Sequence, residues 1–256
     1  MKKNDIYRPL IIAHRGARYE APENTRSAFN RALEYVVDGI EFDVQLSRDG
    51  VPVLYHDRTL AKISGNRTRI SDHKYRELKA MDFGSWFSGE YKGERIMKLS
   101  DMLDSYKDKT RMFLEIKSRK TDRASGRSEE LGNSVLELVG KRPAGKRCPQ
   151  ICILSFDPEL LNRMYREAPA NRYVLNITEP LNNIKKDNPC FSELYGFSIP
   201  VKRLDKKFAD DAHRAGYAVM TYACNVSRQL RKALDLKADV IMTDNPGWLT
   251  VKIRDI

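Results

Sequence analysis

The sequence predicts a (β/α)8 barrel, on three observations. Eight short apolar runs recur along 256 residues, segments with helical spacing separate them, and no glycine-rich phosphate turn follows the first run, as a doubly wound sheet would usually carry. The runs are β-branched or aromatic and nearly continuous, as parallel strands buried on both faces should be. The length suits one barrel as a single domain spanning 1–256.

Taken in order, residues 10–13 form the first strand candidate. Ala28, Ala32 and Val36, with Phe29, Leu33 and Val37 beside them, make the first helical stripe. Residues 40–46 give the second strand, and 47–55 read as a hairpin arm turned at Asp49-Gly50. Residues 57–98 interrupt the alternation with a long insertion containing Phe83, Trp86, Phe87 and Tyr91. An ordered insertion of that length is more often a lid or substrate loop than an ornament. Residues 112–117 resume the barrel, and the charged stretch 118–129, with Gly126, reads as a mobile loop. Leu131, Val135, Leu138 and Val139 then repeat the helical spacing, followed by a strand at 151–155. Leu160, Leu161 and Met164 precede strands at 173–176 and 194–199. Phe208, Ala212 and Ala215 mark a helix that Gly216 ends as a C′ glycine, before strands at 218–222 and 240–243.

Composition excludes several classes. At 41% hydrophobic residues the chain is too apolar for disorder. No apolar run approaches the ~18 residues of a membrane span, and none resembles a secretory leader, so the expectation is a soluble, cytoplasmic protein without stable membrane insertion. Cys148, Cys152, Cys190 and Cys224 follow no CxxC spacing and read as reduced thiols. Lys and Arg total 46 against 35 acidic residues, a formal charge of +11 that favours anionic partners. The basic residues are scattered, with no long block and no basic helix interleaved with aromatics, which argues against nucleic acid.

The chemistry lies at strand ends, which in a parallel barrel open onto the active-site face. The first strand runs into His14-Arg15. Glu41 and Asp43, two residues apart on a strand, share one face, and an inward acidic pair is costly unless a cation neutralises it. The hairpin arm delivers His56-Asp57, and Glu115 and Lys117 again share a face. Three hard oxygen donors suit one Mg²⁺ or Ca²⁺ better than zinc. Such an ion with Arg15 and Lys117 would clamp a phosphoryl oxygen, and two imidazoles can serve as general base and acid for a phosphodiester. His73 and His213 lie on polar segments and read as structural.

With these residues in place the sequence resembles the glycerophosphodiester phosphodiesterase family. The match runs through His14-Arg-Gly16, Pro22-Glu-Asn-Thr25, Glu41-Phe-Asp43, Asp49-Gly-Val-Pro52, His56-Asp57, Gly84-Ser-Trp-Phe87, Glu115-Ile-Lys117, Ser155-Phe156 and Thr243-Asp-Asn-Pro246. The resemblance implies a TIM barrel with a lid-like insertion between the second and third barrel units. It implies cation-dependent hydrolysis of glycerophosphodiesters to glycerol 3-phosphate and an alcohol. It assigns the metal to Glu41, Asp43 and Glu115, acid–base work to His14 and His56, and phosphate or substrate contact to Arg15, Lys117, Trp86 and Tyr222. Met97-Lys98 stands where the family commonly has Pro-Thr, and Tyr222 where it commonly has Trp, whereas Asn225 matches. A lysophospholipase D-type phosphodiesterase on the same site, or a non-catalytic anion-binding barrel, are the alternatives.

Overall fold

The computed structural model describes residues 7–140, 151–182, 184 and 191–255. Eight parallel strands close into a barrel: β1 (Leu10–His14), β2 (Gly39–Leu46), β4 (Arg111–Ile116), β5 (Ile151–Ser155), β6 (Arg172–Asn176), β7 (Gly196–Pro200), β8 (Ala218–Tyr222) and β9 (Val240–Thr243). The ring runs β1-β9-β8-β7-β6-β5-β4-β2, and β2 closes it on β1. The short β3 (Pro52–Leu54) pairs antiparallel with the end of β2, as the hairpin signal predicted. Helices α1 (Arg26–Leu33), α2 (Ala61–Ser64), α3 (Tyr75–Ala80), α4 (Leu99–Tyr106), α5 (Lys120–Ala124), α6 (Arg127–Val139), α7 (Pro158–Glu167), α8 (Lys206–Arg214), α9 (Ser227–Asp235) and α10 (Pro246–Lys252) fill the connections.

Strand periodicity sorts the side chains into two cores. Ile12, Phe113, Leu154, Val174, Met220, Val240 and Met242 form an apolar plug inside the barrel. Their neighbours one residue away, such as Ile11, Ala13, Leu114 and Ile153, face the helices in the larger core, as do Ile40 and Phe42 on either side of Glu41. Phe29 of α1 packs edge-on to Phe42 and Tyr106 there, and burying each ring contributes about 2–3 kcal/mol. Because the plug stops below the strand ends, inward residues one step further along each strand, His14, Glu115, Asn176 and Tyr222, are left to line the mouth.

Residues 57–98 carry a satellite core of their own. Leu60, Ile70, Leu78, Phe83 and Ile96 pack with Val53 and Tyr55, and Trp86, Phe87 and Tyr91 follow edge to face.

Two expectations are corrected. The helical stripe through Val36 and Val37 ends earlier: α1 stops at Leu33 and Val36 is exposed. The stretch 118–129 is not a loop but α5 and the start of α6. Two of its polar residues, Ser118 and Ser128, are buried against a partner that composition does not reveal: the Ser118 hydroxyl donates to Asp157 at 2.6 Å and pairs with Ser128 at 2.8 Å. Asp122 accepts from the Arg119 backbone N–H at 3.1 Å, starting α5. The sixth strand run, expected at 194–199, is shifted by up to two residues, to Gly196–Pro200. Cys152 and Cys224 are free, buried thiols, whereas Cys148 and Cys190 lie outside the described residues. Among the described residues no helix is long and apolar enough to cross a membrane.

Candidate active site

Register brings the strand-end residues together. His14 pairs in register with Glu41, and Asp43 with Glu115, so four predicted residues occupy two adjacent layers above the plug. Ligand oxygens of Glu41, Asp43 and Glu115 lie within 4.8 Å of one another. His14, Arg15, Glu41, His56, Glu115, Lys117 and Tyr222 line one cavity of about 560 Å³ at the mouth, with Leu154, Phe156, Asn176, Ser198 and Met242. Trp86 is not in that lining. Its indole sits over Lys62, whose Nζ is 4.4 Å from the ring centre and pairs with Glu23 and Asp57.

Asp43 is the hub. Its Oδ2 lies 3.1 Å from Arg15 Nε and accepts from Asn24 Nδ2 at 2.8 Å, and its backbone N–H donates to Asn24 Oδ1 at 3.1 Å. Asn24 reaches it from a left-handed conformation, φ +58°, which asparagine tolerates better than most residues. Arg15 is also left-handed, φ +59°. There its N–H meets both the carbonyl and the Oε2 of Glu41, at 2.9 and 3.0 Å, while its side chain turns back to Asp43. Two such residues at one site are strain held by the surrounding pairs.

Charge is uneven. Among the described residues Glu41, Asp43 and Glu115 face Arg15 and Lys117 as nearest cations, so that full ionisation of all three would leave one net negative charge in a buried place. Burial and the neighbouring Asp43 push the Glu41 carboxyl well above the usual carboxylate range. Burial would raise Asp43 too, but the ammonium of Lys117 and the guanidinium of Arg15 hold it low. Burial alone would lower Lys117, and Asp43 and Glu115 override it. Asp43 Oδ1 lies 2.7 Å from Lys117 Nζ, yet is buried without a hydrogen bond of good geometry. A small divalent ion fits this donor set: it would satisfy the orphaned oxygen, accept three carboxylates and reverse the local charge.

The two histidines are oriented differently. His14 Nδ1 lies 2.6 Å from Asp244 Oδ1, and its Nε2 is 3.8 Å from Glu41 Oε2. Burial and then Arg15 lower the His14 pKa, against the pull of Asp244, so the ring is held neutral with one nitrogen toward the acid trio. His56 Nδ1 pairs with Asp57 at 2.8 Å, and His56 is only partly buried. Asp244 is the residue the sequence reading left without a role, although it follows a strand end just as His14 does. Asn225 holds it, donating from Nδ2 to Asp244 Oδ2 at 2.6 Å and accepting from the Asp244 N–H at 2.9 Å.

The arrangement is a carboxylate trio that could hold a cation, with the His14 imidazole on one side and the His56 imidazole on the other. A sequence profile of the Glycerophosphoryl diester phosphodiesterase family matches residues 14–248. The chain belongs to that family. A glycerophosphodiester phosphodiesterase of Caldanaerobacter subterraneus subsp. tengcongensis is 28% identical over 250 residues, covering 96% of this chain and 98% of that one. A phosphodiesterase of Oleispira antarctica, solved in complex with the product sn-glycerol-3-phosphate, superposes with a TM-score of 0.83 at 26% identity, covering 96% of this chain and 97% of that one. The glycerophosphodiester phosphodiesterase of Thermotoga maritima does so with a TM-score of 0.73 at 25% identity, covering 97% and 100%. The barrel read from the sequence is therefore the fold of this family of diester hydrolases, and the acid trio has the make-up to hold a divalent ion.

Proposed function

We propose that this chain hydrolyses glycerophosphodiesters to glycerol 3-phosphate and an alcohol, using one Mg²⁺ or Ca²⁺ held by Glu41, Asp43 and Glu115. The observation that carries the reading is the convergence of those carboxylates, with Glu41 and Glu115 lining one cavity together with two imidazoles whose outer partners differ. When bound, the cation supplies Lewis-acid charge to a non-bridging phosphoryl oxygen. Arg15 and Lys117 add positive charge beside it, where charge grows in the transition state. His14, kept neutral and aligned by Asp244, takes the proton of the attacking water. His56, on the partly exposed side with Asp57, protonates the departing alcohol oxygen. Tyr222, its ring centre 6.1 Å from that of His14, walls the cavity. Residues 57–98 form the cover on the His56 side, with Trp86 supporting Lys62 rather than touching the phosphate. The chain works as a soluble cytoplasmic enzyme on small diesters.

Phosphorus NMR of a substrate panel tests this reading. Glycerophosphoethanolamine and glycerophosphocholine should both yield glycerol 3-phosphate. Cleavage on the other side of phosphorus, or turnover of lysophosphatidylcholine alone, would overturn it.

A further inference from the structure

Two walls around the site are not used by that chemistry. Around the ring of strands, β6 and β7 lie opposite β1 and β2. There Asn176 and Ser198 pair in register, 3% and 1% exposed, and both line the cavity. Asn176 Oδ1 and Ser198 Oγ are buried with no hydrogen-bond partner. Leaving such an atom unpaired is costly, and a bound hydroxyl would relieve that cost. No charged group of the site stands on these two strands, so the wall is built for a neutral, polar group.

The second wall is charged. Past Lys117, which belongs to both cavities, a narrow, nearly filled cleft is lined by Arg58, Arg69, Arg119 and Arg127 with Gln45, Ser71 and Thr121. Among the described residues its lining holds one carboxylate, Asp122, 3.8 Å from Arg119. Arg119 is fixed at the junction, donating to Gln45 Oε1 at 2.9 Å and to the His56 carbonyl at 3.3 Å. The cleft therefore begins at the main chain of His56, whose imidazole is assigned to the leaving alcohol. A charged group entering it would meet guanidinium planes suited to phosphate or carboxylate.

A glycerophosphodiester has two unlike arms. The glycerol arm is neutral and carries two free hydroxyls, and only the other alcohol can bear charge. We propose that the diester binds in one direction, its glycerol hydroxyls on Asn176 and Ser198 and its alcohol along the arginine cleft, so that the enzyme prefers alcohols carrying an anionic group. This rests on the diesterase reading above and adds to it a direction and a substrate class.

A diester with glycerol on both sides of phosphorus and a terminal phosphate on one glycerol tests both parts. In the proposed direction, water adds to the bridging phosphorus and the bond to the phosphorylated glycerol breaks. That glycerol takes up the proton, so the products are two molecules of glycerol monophosphate. The reverse direction gives free glycerol and a glycerol bisphosphate. The expected result, at saturating Mg²⁺, is the two monophosphates, with kcat/KM about tenfold or more above that of the unphosphorylated glycerophosphoglycerol. Arg58→Ala should shrink that ratio toward one. Ser198→Ala should raise KM for both substrates alike and leave the ratio intact. Ratios taken within one preparation cancel any loss of folded protein. Free glycerol with glycerol bisphosphate, no preference for the phosphorylated substrate, a ratio untouched by Arg58→Ala, or an unchanged KM in Ser198→Ala would overturn the proposal while leaving the diesterase reading standing. Hydrolysis of neither substrate would overturn both.

Discussion

Replacing Asp244 by asparagine removes one charge and almost no volume, and the hydrogen bonds around it dictate the consequence. Asn225 Oδ1 accepts from the Asp244 N–H and from the Thr243 hydroxyl, so its NH₂ must face Asp244 Oδ2. Asp244 Oδ1 faces His14 Nδ1. Both side-chain oxygens therefore look at donors, and an asparagine offers only one acceptor. If its oxygen stays on Asn225, its NH₂ faces His14 Nδ1, the imidazole proton moves to Nε2, and the nitrogen turned toward the acid trio can no longer accept a proton. The lost charge-assisted bond contributes about 1.5–3 kcal/mol to holding the ring, and the lost general base about 10²–10⁴-fold in kcat. The assay is release of glycerol 3-phosphate from glycerophosphoethanolamine, with kcat and KM measured separately and folding checked by thermal melting. Asp244→Asn should lose kcat by that factor while KM changes only about two- to threefold. Adding Asn225→Asp supplies an acceptor for the new NH₂ and frees the asparagine oxygen for His14. The double variant should regain about tenfold or more over the single one. A single variant within about threefold of wild type, or a double variant no better than the single, would refute the reasoning.

Further outcomes follow from the packing and charge of the site. Lys117→Met leaves the buried carboxylates with one cation fewer, and cation-free protein should lose about 3–5 kcal/mol of stability, part of which excess Mg²⁺ restores; melting curves with EDTA and with Mg²⁺ compare the two. Glu41→Gln should act in the opposite sense without cation. A carboxyl whose folded pKa lies above its unfolded value destabilises the fold at any pH above that unfolded value, so the neutral amide should melt higher in EDTA at pH 7 and show a smaller rise on adding Mg²⁺. Gly196→Ala places a Cβ 2.1 Å from the Ala218 carbonyl on the adjacent strand. Denaturant titration should show about 1–3 kcal/mol lost, with or without cation.

The barrel was legible because its strands are buried on both faces, so that runs such as 151–155 are apolar without alternation, and all eight fall where expected within about two residues. The acid trio was legible for the opposite reason: Glu41, Asp43 and Glu115 are charged residues on strand faces that must point inward. What escaped depends on partners distant in the chain. Asp244 gains its role from His14, 230 residues away, and nothing local to it indicates an imidazole neighbour. Asn176 and Ser198 look like ordinary strand-end polar residues until their lack of partners is seen. The stretch 118–129 misled because its charge suggested a solvated loop, whereas Ser118 is tied to Ser128 and to Asp157. Trp86 stacks on Lys62, a pairing between two elements of the insertion that neither segment announces.

The central claim is that Glu41, Asp43 and Glu115 act through a shared ion. It is tested most directly by stripping the purified protein with EDTA, titrating Mg²⁺ or Ca²⁺ back, and following glycerol 3-phosphate release at each step. The account predicts negligible turnover in the stripped protein and a saturable return that requires all three carboxylates. Full turnover in EDTA, or an undiminished return in Glu115→Gln, would contradict it.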